Sequence, residues 1–243
     1  MRLSVMHSLW LLPLFALGCN CHKHGPSSST TAARESEPRH QAANAASSAA
    51  SAEAGFVPLF DGHSMNGWKI GKNADSWKVQ NGELVVRGPG PAHLFYDGPV
   101  HNHDWKNFHL KLMVMTLPHA NSGVYFHTKY QEEGWPSQGF EAQVNQTQDD
   151  RKKTGGLYAV KDVMDVPPAT DNKWFLYEII VDGKHVTLKV DGKVTTDWTE
   201  PTPPQAPQGM PGRFLQHGTI ALQGHDPNSE AHYKDIVIKA LPD

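Results

Sequence analysis

The feature that most constrains this chain is a run of short alternating segments punctuated by Asn-Gly and Asp-Gly pairs. Trp77–Val86 carries Asn81-Gly82 between two alternating stretches, a strong hairpin signal because both central turn positions favour positive φ. Trp174–Val181 passes through Asp182-Gly183 into His185–Val190, and Asp191-Gly192 then turns into a further strand, making a meander. Phe108–Val114 and Tyr233–Lys239 alternate as well, while no amphipathic helix of three turns is legible beyond Gly55. The Pro-rich run from Pro201 to Pro211 fits neither a helix nor a central strand and reads as a long surface loop. Many short strands with turns between them predict an all-β domain, an antiparallel sandwich or jelly roll, over residues 55–243. The absence of an internal repeat argues against a propeller.

The first eighteen residues read as a signal peptide. Arg2 precedes the apolar stretch Leu9–Leu17, which is too short to span a bilayer. It ends in Ala16-Leu-Gly-Cys19, which resembles the bacterial lipoprotein cleavage box and makes Cys19 the candidate lipidation site, with ordinary signal cleavage as the alternative. Either route exports the protein, and the first anchors it in the cell envelope, facing the periplasm or the cell surface. Residues 19–54 are Ala/Ser-rich and lack the apolar content to offset the entropy of ordering, so a disordered tether is expected. Cys19 and Cys21 are the only cysteines, so the domain must be held by its own core, which about 190 residues can supply. A formal charge of −3 and no basic stripe exclude a nucleic-acid partner, and the lipid anchor is the only membrane attachment expected.

Function is most legible in three segments. In Gly139–Asn145, Glu141, Gln143 and Asn145 share one strand face, while Phe140, Ala142 and Val144 take the other. In Asn121–Lys129, Tyr125 and His127 oppose Val124 and Phe126. Thr154–Tyr158 adds a hydroxyl and a phenol. Carboxylate, imidazole and amide groups over an apolar underside suit a groove for a polyhydroxylated ligand.

Several stretches together resemble the 3-keto-disaccharide hydrolase domain family: Gly55–Trp68, Asn121–Gly123, Gly139–Gln143, Thr154-Gly155 with Tyr158, Gly218–Gly224 and Tyr233–Leu241. The resemblance runs in order through the whole domain. It implies a concanavalin A-like jelly roll acting on 3-keto-glycosides, and it carries over Glu141, Gln143, Asn121, Thr154, Tyr158 and Gln223, with His225 close behind. Two positions depart from the family's usual pattern: His127 stands where Arg is common, and Asn145 where Asp is common.

The chemistry of such a substrate follows from its structure. A ketone at carbon 3 acidifies the hydrogen on carbon 2 and places the group on carbon 1 for β-elimination, which needs a base, a stabiliser for the enolate oxygen and an acid. Glu141, His127 and His225 are the candidate catalytic residues. Asn121, Tyr125, Gln143, Asn145, Thr154, Tyr158, Lys161, Gln223 and Trp135 are the candidate substrate contacts, Trp135 as a stacking platform. His101-x-His103-Asp104 has chelating spacing but sits in a segment that reads as a solvated loop, so a divalent metal cofactor is left open. Ser122 lacks a nucleophile elbow, which argues against a serine hydrolase. The alternative to an enzyme is a carbohydrate-binding module on the same fold.

Overall fold

The computed structural model describes residues 53–243. The signal peptide, Cys19 and nearly all of the tether lie outside the described residues. Its last two residues already touch the domain: Lys111 pairs with Glu53, and Lys239 Nζ donates to the Ala54 carbonyl at 3.0 Å.

The chain forms β1 (Val57–Pro58), β2 (Trp68–Ile70), β3 (Trp77–Gln80), β4 (Glu83–Val86), β5 (Ala92–Tyr96), β6 (Phe108–Thr116), β7 (Asn121–Thr128) and β8 (Phe140–Asn145). There follow β9 (Lys152–Leu157), β10 (Lys161–Met164), β11 (Phe175–Asp182), β12 (His185–Val190), β13 (Lys193–Thr199), β14 (Thr219–Gly224) and β15 (Ala231–Ala240). They make two antiparallel sheets. One has the order β13-β12-β11-β6-β15-β4-β3, with β1 added beside β15; the other runs β10-β9-β8-β7-β14-β5-β2. The predicted Asn81-Gly82, Asp182-Gly183 and Asp191-Gly192 turns all link neighbouring strands, with positive φ at Asn81, Asp191 and all three glycines.

The two sheets close over one core that includes Leu84, Leu110, Leu112, Val124, Phe126, Phe140, Ala142, Ile179, Leu188 and Ile238. β6 buries every second residue strictly, which is the pattern of a strand with one wet face. β7 and β8 are different: like β5 and β14 of the same sheet, they are buried at every position. Their second face is covered by the loops 130–139 and 207–214. These loops are clasped together: Gly139 N–H donates to the Gly212 carbonyl at 3.1 Å. Arg213 Nη1 donates to the Gly139 carbonyl at 3.0 Å. A Cβ at Gly212 would lie 2.0 Å from the Ser137 carbonyl, so the close approach requires glycine.

Candidate active site

Cross-strand pairing lays the site out as rows on the outer face of the second sheet. Phe95, Ala221, Tyr125 and Glu141 stand side by side, and His93, Gln223, Gly123 and Gln143 form the next row. Phe95, Tyr125 and Ala221 make a small apolar cluster separate from the main core, and this is the floor of the site. Above it is a cavity of about 500 Å³, within the usual range for small-molecule sites. Asn121, Tyr125, Glu141, Gln143, Gln223 and His225 line its polar side. Trp135, Pro136, Met210 and Pro211 of the two clasped loops form the opposite wall, with Tyr158 and Arg213 completing it.

Glu141 is the centre of this arrangement and is only 5% exposed. Tyr125 donates its hydroxyl to Oε2 at 2.7 Å, and Gln223 Nε2 donates to Oε1 at 3.1 Å. Arg213 Nη2 stands 3.8 Å from Oε2, and its guanidinium lies 5.3 Å from the centre of the Tyr125 ring. Burial pushes the Glu141 carboxyl above its ordinary pKa, and the Tyr125 bond, Arg213, the Gln223 bond and His225 pull it back in part. Burial, followed by the neighbouring carboxylate, holds the Tyr125 phenol well above its own usual value. Gln143 donates to Asn121 Oδ1 at 3.3 Å. The side-chain Oε1 atoms of Gln143 and Gln223 are buried with no partner, which leaves two acceptors for a ligand's hydroxyl groups.

At the mouth, Trp135 is 45% exposed and its ring lies tilted on His225, centroids 5.0 Å apart. His225 Nδ1 is held by Asp226 at 3.1 Å. The carbonyl of Glu141 accepts the Tyr158 N–H at 2.9 Å, which fixes Tyr158 in the wall.

Four expected residues lie elsewhere. The pairing of β14 with β7 slips between Thr219 and Ala221, so Phe126 and His127 together face Ile220, and His127 takes φ 54°. This bulge breaks the alternation and turns His127 away from Tyr125, to pack on Phe108 and Phe126. Its Nε2–H donates to the Lys106 carbonyl at 2.9 Å and its Nδ1 accepts the Gln216 N–H at 3.3 Å, so neither nitrogen is free. Burial drops its pKa to about 4. Asn145 is consumed by the β8–β9 turn: Nδ2 donates to the carbonyls of Asp150 and Lys152, both at 2.9 Å, and Oδ1 accepts the Gln148 N–H at 3.0 Å. Thr154 Oγ1 accepts the Asn145 N–H at 2.8 Å within the same turn. Lys161 is exposed on the edge strand β10, outside the cavity.

Two residues were missed. Arg213 follows the Pro-rich loop, where nothing in the local sequence marks it. His93 sits opposite Gln223 in an ordinary-looking strand, its ring edge-on to Tyr125 at 5.7 Å and to Trp135 at 5.6 Å. Burial, with a smaller push from His225, lowers its pKa to about 4. Ser122 points to the core side and bonds the Gln223 carbonyl and the Tyr233 hydroxyl, so it is structural. Among the described residues no group of three or more His, Cys, Asp or Glu side chains is placed to hold a metal ion.

Two antiparallel sheets closed over one core, with a polar cavity of about 500 Å³ over one of them, define an all-β sandwich with a built site on one sheet face. Residues 55–239 match the 3-keto-alpha-glucoside-1,2-lyase-like domain, and the chain belongs to that family. No curated protein sequence matches it. Among solved structures it is similar to a candidate glycosyl hydrolase from Parabacteroides distasonis, at 19% identity and a TM-score of 0.64, covering 84% of this chain and 97% of that one. It is also similar to a Bacillus subtilis protein with a galectin-like fold, at 11% identity and a TM-score of 0.55, covering 76% and 94%. A third is the carbohydrate-binding module CBM66 from Bacillus subtilis, at 12% identity and a TM-score of 0.50, covering 72% and 96%. At such identities these likenesses speak to the fold.

Proposed function

We propose that this protein cleaves 3-keto-glycosides by elimination across carbons 1 and 2, with water addition completing a net hydrolysis. The observation that carries this reading is the buried Glu141 carboxylate, raised in pKa and held by Tyr125, Gln223 and Arg213 inside a cavity with open hydrogen-bond acceptors. Glu141 takes the proton from carbon 2. The electron pair moves into the carbon 1–2 bond as the glycosidic oxygen leaves, by way of an enolate whose oxygen the Arg213 guanidinium stabilises. Oxygen acceptors on Gln143 and Gln223 orient the remaining hydroxyls, and Trp135 offers a face to the apolar side of the sugar. His225, at the mouth and fixed by Asp226, is placed to protonate the departing group.

The exposed Trp135 also favours a second reading, a sugar-binding module that does no chemistry. We place the protein at the cell envelope, exported and anchored through lipidated Cys19. The test of function is turnover of a 3-keto-glucoside by wild type beside Glu141→Gln, with and without a chelator. Cleavage lost in the variant supports the enzyme, and loss with chelator adds a metal. Binding of the substrate without turnover by wild type sinks the enzyme reading and leaves the module.

A further inference from the structure

A second cavity, of about 320 Å³, opens where β5 and β7 end and β14 begins, and it shares no lining residue with the first. Asp97, Asp104, His103, His217, Lys129 and Asn102 line it. The polar groups lie close together, with Lys129 a cation beside the two carboxylates: His217 Nδ1 lies 2.8 and 3.0 Å from the two carboxylate oxygens of Asp104, and His103 Nε2 lies 3.8 Å from Asp97 Oδ1. An ion of either sign would meet like charge as well as opposite charge here. A neutral ligand that both donates and accepts hydrogen bonds meets no such conflict.

A separate observation points the same way. Thr128 lines this cavity, is 1% exposed, and has a buried Oγ1 with no partner. A buried hydroxyl without a bond costs stability, and a ligand hydroxyl could satisfy it in either role. The rest of the wall is braced. Residues 101, 102 and 103 hold successive left-handed φ values of 50°, 52° and 47°, which fixes the turn that carries Asn102 and His103. Tyr130, 38% exposed, is clamped by Lys69 Nζ at 3.7 Å over its ring and by the edge of Phe95 at 5.4 Å.

We infer that this cavity is a second, independent binding site for a neutral polyhydroxylated ligand, a single sugar unit. Sugar hydroxyls would donate to Asp97 and Asp104, accept from Lys129 and Asn102, and complete Thr128.

The test is saturation-transfer NMR on the full chain carrying Glu141→Gln and Trp135→Ala, which stops turnover and weakens the first cavity. Any binding left there is told apart because it does not respond to substitutions at Asp104 or Lys129, which line only the second. Methyl α-glucoside, methyl α-mannoside and methyl β-galactoside serve as probes, with glucuronate as a charged control. At least one neutral probe should still bind, and adding Asp104→Ala or the exposed Lys129→Ala should weaken it about tenfold, the loss of one charge-assisted bond. Thermal unfolding checks that each variant folds, and Lys129→Ala carries the test should Asp104→Ala fail. Absence of any neutral binding, binding unmoved by both substitutions, or binding of glucuronate alone would overturn the inference.

Discussion

Gly123 makes the room in which the carboxylate of Glu141 lies. A Cβ at position 123 would stand 2.4 Å from Oε1 and 2.9 Å from Cγ of Glu141, which lies two residues along β8 from its cross-strand partner Gln143 and on the same face. The backbone of Gly123 needs no positive φ, so the requirement is one of space alone. Gly123→Ala should therefore fold, at a cost of about 1–3 kcal/mol from overpacking. A displaced carboxylate should lower kcat/KM for a 3-keto-glucoside about 100-fold, the cost of misplacing a reacting group by about 1 Å. Steady-state kinetics beside a thermal melt checks both.

The protonation of Glu141 gives a stability signature. Its folded pKa is raised, so the stabilising state is the protonated one: full stability below the unfolded value of 4.5, and a loss as pH rises through the folded pKa. Glu141→Gln lacks this loss. The Tm of the variant minus that of wild type should rise between pH 4 and pH 8, read by differential scanning fluorimetry. A flat difference would contradict the buried carboxylate.

Arg213 is both cation and clasp. Lys at this position keeps the charge but not the fork that reaches the Gly139 carbonyl and Glu141 together. Arg213→Lys should lower kcat by about 100-fold, in the range for loss of one transition-state donor. Because Arg213 holds the Glu141 pKa down, Arg213→Ala should also shift the acid limb of the pH–rate profile to higher pH. An unmoved limb would separate the two residues.

His127 and His93, both held near pKa 4, predict acid sensitivity. Their folded values lie below the unfolded 6.5, so the stability they contribute is present above pH 6.5 and is lost as pH falls towards 4. For His127, held near pKa 4 by burial, the loss is up to about 3 kcal/mol. Denaturant midpoints for His127→Gln should lose part of that pH dependence, while its kcat/KM stays within about twofold, since the residue lies outside the cavity.

The mouth offers the mildest prediction. Trp135→Ala should raise KM about three- to tenfold, an aromatic contact's worth, and leave kcat near wild type. A fall in kcat of similar size would instead place the Trp135–His225 pair in the chemical step.

Much of the fold was legible because it rests on local signals. Turn pairs with positive φ and period-two burial fix hairpins one at a time, and Trp77–Val86 and the β11–β13 meander formed where those signals lay. The site was half legible for the same reason. Tyr125, Glu141 and Gln143 follow from alternation, but His127 does not, because a bulge defined only by the partner strand β14 shifts it off the face. Asn145 and Thr154 carry polar groups that the β8–β9 turn uses internally, a fate that spacing alone does not encode. Arg213 arrives from 72 positions beyond Glu141 by way of a loop fold, and no periodicity reaches that far. Its guanidinium supplies a cation beside the carboxylate, although His127 stands at the strand position where the family commonly has Arg.

The complete burial of β7 and β8 sets how freely this protein can drift in sequence. A residue on β6 or β12 answers to one neighbour, the core, and its alternate positions are free to vary. On β7 and β8 every position is buried, against the core, the roofed cavity or a neighbouring loop, so neither parity is spare. A random substitution library selected only for folding should thus tolerate changes at the outward positions of β6, β12 and β13, and lose variants along Asn121–Thr128 and Phe140–Asn145 whichever parity is hit. The same roof that dries the carboxylate removes the surface on which neutral change accumulates.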